Sequence, residues 1–158
     1  MRHRFAAVLL VLLSAPAAAE MAEVGDISIR DAWVRASIGS APNSAAYMVI
    51  ETSGDQPDQL VGASSPAADQ VQMHAHVMDG DIARMRPVEA IEVAPGEPTL
   101  LQPGGLHLML VGLQQRLTAG ESMPVTLRFA DAGEVTLEIP ILPVTAQGPM
   151  HHGPSSTH

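Results

Sequence analysis

Apolar runs of no more than about ten residues, each halted by Gly, Pro, Asn or Asp, confine this chain to β structure, because a packed helical protein needs longer stretches with 3.6-residue periodicity. The Val/Ile/Leu-rich segments Ile27–Ala36, Ser44–Glu51, Gln59–Ser64, Val71–Met78, Ile82–Val88, Thr99–Leu101, Leu106–Leu113, Val125–Phe129 and Val135–Ile141 are the candidate strands. Most of the 13 prolines fall between them, and Pro66, Pro87, Pro95, Pro98, Pro103 and Pro124 read as boundaries. The expectation is a single all-β domain, a sandwich or barrel.

The ends of the chain read differently. Arg2 and Arg4 precede the apolar run from Phe5 to Leu13, and small residues follow up to Ala17-Ala18-Ala19. This is the pattern of a secretory signal with an A-x-A cleavage site, assigning residues 1–19 to the signal, 20–143 to the β domain and an exported location to the mature protein. A lipoprotein would carry a cysteine after the cleavage site, and the sequence has no cysteine at all. No segment has the apolar length of a membrane-spanning helix, so no membrane insertion is expected. Residues 144–158, rich in Gly, Pro, Ser and His, read as a mobile tail.

Composition excludes several classes of function. The absence of cysteine removes blue-copper centres, zinc knuckles and iron–sulfur clusters, all of which need thiolate. Set aside Arg2 and Arg4, and six arginines with no lysine face 17 acidic residues, a poor surface for nucleic acid or anionic lipid. No nucleophile elbow, phosphate loop or HExxH motif occurs, so an enzyme is not expected.

Two segments carry the remaining chemistry. Asp79-Gly80 suits the two-residue loop of a hairpin, which would set Met78 against Asp81 and His74 directly across from Met85. In that arrangement Val71, Met73, Val77, Ile82 and Val88 share one face, while His74, His76, Met78 and Met85 share the other. In Leu106–Leu110 the leucines alternate with His107 and Met109, so these two donors also share a face. Imidazole binds several metals and thioether sulfur selects Cu(I), whereas a carboxylate set would suit calcium or magnesium. His76 and Met78 read as neighbours of a site rather than ligands, Met73 as core, and Trp33 and Tyr47 as aromatic filling of the core.

Written as spacing, the donors form H-x10-M-x21-H-x-M. With Asp31-Ala32-Trp33, Ala45-Ala46-Tyr47, Met85-Arg86-Pro87-Val88 and Pro103–Leu110 around them, they closely resemble the motif of the periplasmic CuA chaperone family (PCuAC) over most of residues 25 to 142. The resemblance implies a cupredoxin-like Greek-key β-sandwich holding one Cu(I) through His74, Met85, His107 and Met109. It further implies a periplasmic metallochaperone delivering copper towards the CuA centre in subunit II of cytochrome c oxidase, or to another assembly factor. A copper-buffering or resistance protein without a dedicated acceptor is the alternative. The tail residues Met150, His151, His152 and His158 resemble extensions associated with additional copper, as Cu(II).

Overall fold

The computed structural model describes residues 21–149 and contains no helix among them. Eleven strands follow one another: β1 (Ala22–Val24), β2 (Ile27–Arg35), β3 (Asn43–Thr52), β4 (Asp58–Ser64), β5 (Ala68–Asp79), β6 (Ile82–Pro87), β7 (Ile91–Val93), β8 (Thr99–Leu101), β9 (His107–Leu113), β10 (Ser122–Phe129) and β11 (Gly133–Leu142). Seven of them close a ring in the order β2-β11-β10-β4-β5-β9-β3, with β3 returning to β2. The result is the expected Greek-key β-sandwich, rolled into a barrel-like form. Strands β1, β6, β7 and β8 lie outside the ring, beside β2, β5, β4 and β3 respectively.

Period-2 alternation explains the closure. Along β11, Leu137, Ile139 and Ile141 are buried while Glu134, Glu138 and Pro140 face outward, and β10 contributes Met123, Val125, Leu127 and Phe129 from its matching face. Across the barrel, Ile29, Val34, Met48, Ile50, Leu108 and Leu110 complete the core. Each such side chain contributes about 1.5–3 kcal/mol on burial, and with no cysteine in the chain this packing replaces any disulfide. Pro124, expected between strands, lies inside β10 opposite Glu138. It is tolerated because β4 joins the other edge of β10 only from Thr126 onward, so no ladder hydrogen bond is lost there.

A buried carboxylate ties one strand start to a neighbouring turn. Asp58 accepts hydrogen bonds from the backbone N–H groups of Gln59 at 2.7 Å, Ala132 at 2.9 Å and Asp131 at 3.0 Å, linking the start of β4 to the β10–β11 turn. Burial opposes its ionisation, yet these N–H donors outweigh that cost and hold the carboxyl below its ordinary 3.8.

Candidate metal centre

The hairpin joining β5 and β6 turns one residue later than its sequence suggests. Asp79 pairs with Ile82, leaving Gly80-Asp81 as the loop, with Gly80 at φ +65° and Asp81 outside the positive-φ region. That is the pattern of a type II′ turn, which wants Gly at its first central position, and it draws Asp79 into the ladder. His76 therefore stands opposite Met85, and His74 opposite Pro87, correcting the expected His74–Met85 pair. Every partner changes by two residues, an even step, so each side chain keeps the face expected for it. Arg84 and Arg86 share the Val77 face and are exposed.

On its other edge β5 pairs with β9, where His74 faces His107 and Gln72 faces Met109. The His74 and His107 ring centroids are 5.6 Å apart. Met109 lies diagonally from His74 on one side of this row, and Met85 diagonally on the other. Such diagonals separate backbone positions by roughly 7–8 Å, within reach of long side chains, and methionine is unbranched and flexible. All four sequence-predicted residues thus lie on one face of three adjacent strands. His107 is buried at 3% exposure, His74 and Met109 are intermediate, and Met85 is open at 52%.

His74 and His107 each have one nitrogen occupied. His107 Nδ1 donates to the carbonyl of Gly105 at 3.0 Å, which leaves Nε2 with its lone pair. His74 Nε2 donates to Gln72 Oε1 at 3.0 Å, and Gln72 in turn donates to Gln70 Oε1 at 3.0 Å. His74 Nδ1 is left buried with no hydrogen-bond partner. A ring fixed through one N–H, with the other nitrogen a bare acceptor, is what a metal-ligating imidazole requires. Burial pushes the His107 pKa below its ordinary 6.5, and the neighbouring His74 and His76 act in the same direction against the Gly105 hydrogen bond, which favours the neutral ring. Among the described residues no three His, Cys, Asp or Glu side chains gather into a metal-holding group.

Trp33 and Tyr47 build the wall beside His107 rather than the barrel core. Between Arg30 and Trp33, β2 carries one residue more than β3 opposite it, a bulge at which Asp31 adopts φ +54°. The extra residue rotates Trp33 off the Ile27–Ile29 face and sets it against Tyr47, ring centroids 4.6 Å apart. Tyr47 in turn lies 6.3 Å from the His107 ring. Both aromatics are buried at 3% and 5%, as expected, and fill the side of the sheet that carries His107 rather than the main apolar cluster. Arg35 covers them, 5.7 Å from the Trp33 centroid and 5.5 Å from that of Tyr47, and it donates to the carbonyl of Ala146 at 3.3 Å. The start of the 144–158 segment therefore folds back over this wall. Met150, His151, His152 and His158, like residues 1–19, expected to be a signal, lie outside the described residues.

Residues 27–141 match the family described as LpqE-like, "Putative lipoprotein LpqE-like". The chain belongs to that family. A relative in Leifsonia xyli subsp. xyli, "Putative lipoprotein Lxx21020", is 35% identical to this LpqE-like protein over 116 residues, covering 73% of this chain and 69% of the relative. The solved copper-bound PCuAC domain from PmoF2 shares 30% identity and a TM-score of 0.69, covering 78% of this chain and 98% of that domain. The solution structure of CuI-DR1885 from Deinococcus radiodurans shares 30% identity and a TM-score of 0.61, covering 80% of this chain and 83% of that one. The LpqE-like protein is thus a member of the PCuAC copper-binding family, with its cupredoxin-like fold.

Proposed function

We propose that this LpqE-like protein is a periplasmic Cu(I) metallochaperone, and not an enzyme, that carries one ion on His74, Met85, His107 and Met109. The observation that carries the reading is the His74–His107 row, in which each ring has one nitrogen tied and the other free, flanked diagonally by two thioethers. The copper held by two solved relatives and the lipoprotein name of a third, which bespeaks export, support it. Imidazole and thioether are neutral donors, and the soft sulfurs favour the monovalent ion. Copper here is cargo, bound without anionic trapping, so another protein's donors can remove it.

The acceptor in this reading is the CuA-bearing subunit II of cytochrome c oxidase or a factor that assembles it. Handover fits better than storage because Met85 is 52% exposed, which gives an incoming donor a line of attack on its copper. Met150, His151, His152 and His158 are proposed as an accessory Cu(II) site. The test is anaerobic Cu(I) titration against a chromophoric chelator, using wild type, a Met85→Ala/Met109→Ala double variant and a chain truncated after Val144. Loss of the tight equivalent in the double variant alone supports the reading. Wild-type binding by the double variant overturns it.

A further inference from the structure

The ligand face does not stop at the four donors. Beyond His74 it continues along β5 with His76 and Met78, which face Met85 and Ala83 on β6. The His76 ring lies 5.4 Å from that of His107, as near as the His74 ring at 5.6 Å. Exposure rises steadily along this row, from 3% at His107 through 52% at Met85 to 65% at Met78. The outer donors are not held by packing, since the hairpin tip leaves Val77, Met78, Ile82 and Met85 all open to solvent. Exposed methionine is costly to leave in water, and here two sit on one face beside an exposed imidazole.

We propose that His76, Met78 and Met85 form a second, outer Cu(I) station at the hairpin tip, through which the ion passes between the inner centre and another protein. The proposal rests on the copper reading above. Met85 serves both stations, because its direct partner across the ladder is His76 while His74 is only diagonal to it. In the passage, copper bonds to His74, His107 and Met109 break and bonds to His76 and Met78 form, while the bond to Met85 sulfur persists. Copper remains +1, all donors are neutral, and no electron or proton is transferred.

The test uses the wild-type chain and a His76→Gln/Met78→Leu double variant, both positions being exposed and outside the core. Each is loaded anaerobically with one equivalent of Cu(I), and release to excess bicinchoninate is followed by stopped flow beside an equilibrium competition. The expected result is an affinity changed by no more than about threefold, below the 10–100-fold typical of losing a supporting contact, and release slowed at least about tenfold. Release at the wild-type rate overturns the outer station. So does a loss of affinity beyond about tenfold, which would assign these residues to the inner centre. Failure of the wild type itself to take up Cu(I) would instead strike the functional reading beneath it. A complementary measurement follows the Met78 ε-methyl NMR signal as one equivalent of Cu(I) is added to a His74→Gln/Met109→Leu variant, which leaves Met85 free for the outer donors: displacement is expected, and an unmoved signal refutes the station.

Discussion

His74 and His107 are direct partners across the β5–β9 ladder, and each ring is anchored through one nitrogen to the residue two positions before it, Gln72 and Gly105. The same local device operates twice. It fixes one nitrogen of each ring as donor, so on the proposed reading the imidazoles would take up an ion without first rearranging their protons.

Gln72 is accordingly expected to matter although it is no ligand. Gln72→Ala should weaken Cu(I) binding by about 10–100-fold while leaving the fold intact, because the side chain is outside the core. Chelator competition with the wild type and this variant checks it, and an unchanged affinity would remove Gln72 from the orienting role.

The His107 shift has a definite sign. Its folded pKa lies below the unfolded value of 6.5, so between the two the unfolded chain binds more protons and the folded state loses stability as pH falls. The copper-free wild type should therefore have its full His107 contribution above pH 6.5 and lose it as pH falls through the depressed value. Urea unfolding at a series of pH values, with His107→Leu as the comparison, should give a flatter acid limb for the variant.

Trp33 is the sole tryptophan and stacks on Tyr47, which borders His107. Cu(I) uptake should change its fluorescence, with the titration breaking at one equivalent. Placement of Trp33 depends on Asp31 holding φ +54°. Asp31→Val, with a β-branched side chain in that region, should be about 1–2 kcal/mol less stable than Asp31→Gly, measured by chemical denaturation.

Removing Asp58 strands three backbone N–H groups. Asp58→Ala should cost about 1.5–3 kcal/mol, the range for hydrogen bonds to a charged group. Because the folded pKa is depressed, this contribution is complete above 3.8 and disappears as pH falls through the lower folded value. Copper affinity should be unaffected, since the hydrogen bonds of Asp58 go to Gln59, Asp131 and Ala132 and to none of the four proposed donors.

Faces were easier to read from the sequence than neighbours. Alternation places His107 and Met109 opposite the leucines of β9, and Leu108 and Leu110 are indeed fully buried. It also sorts His74, His76, Met78 and Met85 together, because parity survives a two-residue change of partner. What alternation cannot supply is the turn geometry, and Gly80 taking the first loop position instead of the second was enough to exchange His74 for His76 as the partner of Met85. The burial of Trp33 was legible but its face was not, for a related reason: a bulge breaks the alternation, and its only local mark is an Asp, a residue that tolerates positive φ. The short strands Ala22–Val24 and Ile91–Val93 have too few residues to show a period and exist by pairing with β2 and β4. That β9 lies between β3 and β5, bringing distant donors together, follows from the barrel closure and not from any local signal.

The pairing of β2 with β3 that completes the seven-strand ring has a physiological corollary. With no cysteine in the chain, the closed ring is held by apolar packing, and maturation of this domain calls for no oxidant. Folding is thereby indifferent to the thiol–disulfide balance of its surroundings, and a reductant that unravels disulfide-stapled domains should leave this one standing.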